Sequence, residues 1–378
     1  MGIHGVEHPA SPTFYRPQPL GVDFIWKENF MNALRTLATS TAIIAIPVFG
    51  FAQDTTAPKT DLPAVVLEQT TQKFIDSLKG STPINQLPYD KARQVLIDTQ
   101  AKGKTAMPDA AVKEMTLKVG PTGEVKVYSV RPVGTESKTL PGVVYFHGGG
   151  WVLGNFTTHE RLMRDLAVQT NAVMVFVEYS PAPEQKHPVQ LDQDYSVLKY
   201  VAENAAQFGI DAKQLAIAGD SVGGQMVAVT AVRAKADGPA LDSMVLFYPV
   251  TTADLTSHSY ELFAKGPWLT KASMEWFWDA YLPKGADITN PEISPLNYSA
   301  KALKGLPPAL VITDANDVLR DEGAAFASEL TLAGVATQST QYDLTTHDFV
   351  MLNAYAQTPA TTAAITEAAN FLKDHFTK

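Results

Sequence analysis

The spacing of apolar positions changes character near Met115. Before it, Val65, Val66, Phe74, Ile75 and Leu78 recur at roughly helical intervals behind Asp61, a residue suited to an N-cap. A second helical stretch runs from Tyr89 to Lys102, and a glycine-containing break separates the two. After it, Met115–Val119, the turn Pro121-Thr122-Gly123 and Glu124–Arg131 read as an antiparallel hairpin. Beyond the hairpin come Val143–Phe146, Val173–Val177, Leu215–Ala218, Met244–Tyr248 and Ala309–Ile312, short runs apolar on both faces, as buried parallel strands must be. Ala336–Tyr342 reads as a further strand. Helical patterns near His159–Thr170, Asp192–Gln207, Val222–Lys235 and Asp321–Ala333 lie between them, and Pro359–Phe376 closes the chain. Such alternation predicts an α/β fold, a mostly parallel central sheet flanked by helices. Thr251–Pro291 sits between two strands, is longer than a usual crossover and is rich in aromatics, so it reads as an insertion over one end of the sheet.

Composition narrows the function. With 378 residues, 45% of them hydrophobic and 18% charged, the chain can bury a full core and is neither disordered nor fibrous. Its 30 basic against 39 acidic side chains give a net charge of −9 with no basic run, which argues against a nucleic-acid partner. The absence of cysteine removes disulfides, thiolate metal sites and a Cys nucleophile together. Residues 1–30 form an extension with no readable role, and Met31 can serve as the true start. Arg35 then precedes an apolar stretch from Ala42 to Ala52 that ends in Gly50-Phe51-Ala52, with small residues where a signal peptidase reads. The stretch is shorter than the roughly 20 residues a bilayer span needs, Pro47 interrupts it, and it lacks the polar face of a core helix. Residues 31–52 are therefore expected to be a signal peptide cleaved after Ala52. The mature chain would then be periplasmic or secreted, with no integral membrane span.

Gly219-Asp220-Ser221-Val222-Gly223 matches G-x-S-x-G, directly after one strand and opening one helix. That setting produces a strained turn that lifts a serine hydroxyl clear of the sheet, beside the backbone N–H dipoles of the helix. His147-Gly148-Gly149-Gly150-Trp151 follows another strand, and its glycines leave backbone N–H groups unshielded, as an oxyanion hole requires. A phosphate loop fits less well, because Leu153 stands where the third glycine of G-x-G-x-x-G belongs. His147 reads as a brace for its loop. Where G-x-S-x-G carries the nucleophile, the chain order is Ser, acid, His, which selects His347 in the loop after the last strand. For the acid, Asp321 and Glu322 suit the first turn of a helix, and spacing leaves Asp314 and Asp317 level. His159-Glu160 begins like H-E-x-x-H, but Met163 occupies the second histidine position, so no metal site is expected.

Together HGGGWVLG with THERL, VEYSPAPE, GDSVGG, GPWLT…WFWDAYL, GLPPALVITDANDVLRDEG and THDFVML resemble the hormone-sensitive-lipase-like family of α/β-hydrolase esterases (bacterial family IV), in its GDSAG-type branch. The resemblance spans about Pro141 to Leu352. It implies an α/β-hydrolase fold with Ser221 as nucleophile, Asp317 as acid and His347 as base, and it alone separates Asp317 from Asp314. It also implies oxyanion N–H groups from Gly149, Gly150 and Val222. A helical cap would come from residues 53–114 and from an insertion at about 251–291, on a catalytic domain spanning 115–378. Three positions depart from the family pattern: Val222 for the usual Ala, Ser180 for an Arg, and Asp348 for the glycine that often follows the base.

Trp151, Asp220, Phe263, Trp268, Leu269 and Phe349 are the pocket candidates, with Trp276, Phe277 and Tyr281 beside them in the insertion. Asp220 and Glu184 read at the same time as structural supports. The expected function is a serine carboxylesterase acting on short-chain esters, with a small-molecule ester as partner and no cofactor. Another acyl hydrolase on the same triad (an amidase, a thioesterase or a xenobiotic-ester hydrolase) is an alternative, and a non-catalytic small-molecule receptor is a more distant one.

Overall fold

The computed structural model describes residues 65–376, so the expected signal peptide, the extension before it and the Asp61 cap lie outside the described residues. Eight strands form one sheet: β1 (Ala110–Leu117), β2 (Val125–Pro132), β3 (Leu140–Phe146), β4 (Val173–Glu178), β5 (Ile210–Asp220), β6 (Met244–Phe247), β7 (Ala309–Asn316) and β8 (Thr337–Thr346). Their order across the sheet is β1-β2-β4-β3-β5-β6-β7-β8. β1 with β2 and β2 with β4 run antiparallel, and every other neighbouring pair is parallel. This is the mostly parallel, helix-flanked sheet that the apolar strand runs predicted, and the α/β-hydrolase fold that the family resemblance implied.

The central strands are buried over nearly their whole length, because helices cover both faces and leave no side for polar residues. β1 begins at Ala110 rather than Met115; its interior residues at the sheet edge are largely exposed, which hides it from a search for apolar runs. β8 runs on to Thr346, so His347 follows the strand directly. The predicted Asp192–Gln207 helix starts earlier, at Val189, and breaks at Asn204 before a short turn at Ala205–Phe208.

The first helix spans Gln69–Ser77 and is capped by the side chain of Glu68, which accepts from the Thr70 and Thr71 N–H groups. Val65 and Val66 precede it and are exposed. The second, Tyr89–Lys102, is fastened by Arg93, whose guanidinium donates to the carbonyls of Val152 and Ala182 and grips Glu184 at 2.8 and 2.6 Å. Glu184 thus has a structural partner. Within the insertion, helices His258–Leu262 and Lys271–Tyr281 bring Trp276 to stack on Tyr89, and Trp268 packs on Phe74. These contacts join the insertion to the two N-terminal helices. Where an arginine was expected, the Ser180 N–H and hydroxyl instead meet the Gln193 amide at 2.8 and 2.9 Å, a neutral pairing. No helix among the described residues is long and apolar enough to cross a membrane.

Candidate active site

β5 delivers Gly219 and Asp220 to the sheet's end, and the helix Val222–Asp237 starts immediately behind Ser221. Ser221 pays for this reversal with φ 56° and ψ −120°, a conformation L-residues rarely adopt. Hydrogen bonds from the Ser221 N–H to Phe247 O, and from the Gly224 and Val250 N–H groups to Ser221 O, hold it there. Gly223 is indispensable to the turn, since a Cβ there would overlap the Phe146 carbonyl oxygen.

His347 Nε2 lies 2.9 Å from Ser221 Oγ, and its Nδ1 lies 2.7 Å from Asp317 Oδ2. All three side chains are buried. Burial alone would lower the imidazole's pKa, but the charges of Asp317 and then Asp348 outweigh it and raise His347 above its ordinary value. Asp317 Oδ1 accepts from the Leu319 N–H at 3.1 Å, which fixes the carboxylate. Asp314 is also buried within the cluster it forms with Asp317 and His347, whose ligand-type atoms lie within 4.8 Å of one another. Burial, and then the Asp317 charge, push the Asp314 carboxyl well above the usual carboxylate range, and of the two carboxyls it is Asp317 that hydrogen-bonds the imidazole. Both ring nitrogens of His347 already face hydrogen-bond partners, an arrangement suited to proton transfer rather than metal ligation.

Facing Ser221, Gly149 and Gly150 adopt φ 106° and 61°. The N–H groups of Gly149, Gly150 and Val222 make no backbone hydrogen bond to another element among the described residues. Asp220 sits beneath this loop, buried, and accepts from Gly148 N at 3.0 Å and Tyr145 Oη at 2.8 Å, with His159 Nε2 at 3.3 Å. His147 stacks on Tyr179 with centroids 4.1 Å apart, and burial lowers its pKa to about 3, which keeps it neutral and braces the loop. His159 serves Asp220, and Glu160 pairs with Arg164, so the apparent H-E fragment is structural.

A cavity of about 380 Å³ opens above Ser221 and His347. Of the pocket candidates, Trp268 and Leu269 line it, as do Phe277, Gly149 and Gly150. Trp151, Asp220, Phe263 and Phe349 do not. Trp151 is stacked flat on Tyr281 and bonded to Gln225; Phe349 packs under Tyr248 and Tyr342; Phe263 lies beneath the Arg320 guanidinium. Aromatics next to catalytic residues in sequence serve here as packing. Much of the remaining apolar wall comes from Ile75, Leu78, Ile84, Val95, Leu96 and Met274. These are the inner faces of cap helices, where an apolar position looks the same whether it meets protein or ligand. Asp348 also lines the cavity.

A buried Ser–His–Asp constellation on a strand-turn-helix elbow of a mostly parallel sheet defines a protein of the α/β-hydrolase class. Residues 143–351 match the family model described as alpha/beta hydrolase fold. The chain is 37% identical over 247 residues to carboxylesterase NlhH of Mycobacterium tuberculosis, covering 65% of this chain and 77% of that protein. It is 33% identical over 279 residues to an ethyl acetate hydrolase of Pseudomonas putida, covering 72% of this chain and 86% of that one. Among solved structures, a thermostable esterase from Pseudomonas putida ECU1011 matches with a TM-score of 0.80 at 44% identity, covering 83% of this chain and 98% of that one. The chain belongs to the α/β-hydrolase family, in its hormone-sensitive-lipase-like branch.

Proposed function

We propose that the protein is a serine carboxylesterase that hydrolyses short-chain carboxylic esters through an acyl-enzyme intermediate. The observation that carries this reading is the continuous line Ser221 Oγ–His347 Nε2, His347 Nδ1–Asp317 Oδ2, at 2.9 and 2.7 Å, opening into a largely apolar cavity. Ser221 attacks the ester carbonyl as His347 takes its proton, and Asp317 holds the resulting imidazolium. The N–H groups of Gly149, Gly150 and Val222 stabilise the tetrahedral oxyanion. The alcohol leaves with the proton from Nε2, after which His347 deprotonates a water that attacks the acyl carbon and releases the acid and free Ser221. A cavity of about 380 Å³ favours short acyl chains.

Treatment with a fluorophosphonate followed by mass spectrometry should give one adduct, on Ser221, and abolish turnover of p-nitrophenyl butanoate. Ser221→Ala should retain the fold and lose about 10³-fold or more in kcat. Wild-type turnover in that variant would overturn the reading, and a rate maximum on long-chain esters would overturn its short-chain part. We also infer from the sequence that the chain is exported; the intact mass of the exported protein should then place Gln53 first.

A further inference from the structure

Asp348 is the carboxylate that lines the cavity, and it stands at φ +66°, in the left-handed region that favours glycine. Its Oδ2 accepts from the Trp268 indole N–H at 2.8 Å, which fixes the carboxyl's orientation. Its Oδ1 lies 3.5 Å from His347 Nε2, the nitrogen that also faces Ser221 Oγ at 2.9 Å. The side chain is 14% exposed, and the cavity it lines is also walled by Leu269, Met274 and Phe277. Of the cavity's two lysines, Lys79 is paired with Asp76 at 2.8 Å and Lys265 is exposed.

When an ester is cleaved here, the departing alcohol oxygen must come within hydrogen-bond reach of Nε2 to collect its proton. That brings the first carbons of the alcohol alongside Asp348 Oδ1. A carboxylate against apolar walls gains most from a donor and is penalised when an alkyl group displaces its water. The 3.5 Å between Nε2 and Oδ1 is a spacing that the two oxygens of a 1,2-diol can span.

We propose that Asp348, held by Trp268, is a specificity-determining residue that selects esters whose alcohol carries a hydroxyl on its second carbon, the monoesters of 1,2-diols. The proposal rests on the ester-hydrolase reading of the same site. It gives the departure from glycine at this position a function: the strained backbone presents a fixed acceptor on the leaving-group side of the base.

The test compares kcat/KM for 2-hydroxyethyl, 2-methoxyethyl and propyl butanoate. The hydroxy and methoxy esters have similar electron withdrawal and differ in the donor. The wild-type protein should prefer the hydroxyethyl over the methoxyethyl ester by about 10-fold, as a hydrogen bond to a charged group predicts. In Asp348→Gly, where glycine fits the φ without strain, the ratio should fall to about 1, whatever the absolute rates. Asp348→Asn keeps the shape and should also lower the ratio several-fold. A wild-type ratio of about 1 with brisk propyl butanoate turnover would overturn the proposal and leave the esterase reading intact. A 10-fold ratio that persists in both variants would overturn it too. Failure on all three esters, with no fluorophosphonate adduct on Ser221, would remove the reading and the proposal together.

Discussion

At Ser221 the backbone is held at φ 56° while His347 and Asp317 line up behind the hydroxyl, so backbone strain and the hydrogen-bonded line meet at one residue. The proposed proton relay depends on the charge of Asp317, because its carboxylate, more than any other group, raises the His347 pKa. Asp317→Asn should therefore cost about 10⁴-fold in kcat and move the acid limb of the remaining kcat/KM profile to lower pH. Asp314→Asn should do far less, since neither Asp314 oxygen hydrogen-bonds the imidazole. Equal losses in the two variants would contradict this division of labour. Along the chain, Asp314 and Asp317 are equivalent, and resemblance alone separates them; in three dimensions the difference is that one touches Nδ1 and the other is sealed beside it.

Between elements, the cap and the glycine loop pack closely at Gly150. A Cβ on Gly150 would overlap the Phe277 ring of the insertion helix, so Gly150→Ala must push the insertion away or turn the loop's N–H groups off the site. We expect about a 100-fold or greater loss of kcat with a small change in melting temperature, since the sheet is untouched. Melting curves and butanoate kinetics measured side by side would check it. At the other side of the cap, Gln100 anchors the helix Tyr89–Lys102: its amide donates to the carbonyls of Thr158 and Met351 and accepts from the Asn353 N–H. Gln100→Ala would orphan these buried groups and should lower unfolding stability by about 1–3 kcal/mol in denaturant titration. A loss below about 0.5 kcal/mol would mean that water replaces the amide.

At the scale of the whole molecule, two carboxyls among the described residues, Asp194 and Asp314, have both oxygens buried without a hydrogen-bond partner. Asp194, on the helix Val189–Glu203, is buried, neither of its oxygens has a hydrogen-bond partner among the described residues, and burial pushes its carboxyl well above the usual range. A folded-state value raised above the unfolded one contributes stability that is complete below the unfolded pKa and is lost as pH rises through the folded value. Asp194→Asn should accordingly raise the melting temperature by about 2–4 °C at about pH 8, with the gain vanishing near about pH 4. A gain that does not change with pH would point to packing instead. The same scale separates what a chain states from what a fold decides. The strand runs from Val143 to Ile312, the strand-turn-helix around Ser221, the glycine loop and the histidine after the last strand are local patterns, and periodicity and backbone sterics fix such patterns within a few residues of sequence. The cavity wall, the packing roles of Trp151 and Phe349, the support of the loop by Asp220, the choice of Asp317 over Asp314 and the aim of Asp348 at Nε2 depend on residues tens to hundreds of positions apart. Those were decided by tertiary packing, because burial and distance, which set what a side chain touches and whether a carboxyl is charged, exist only once the sheet has gathered its ends and the cap has closed over them.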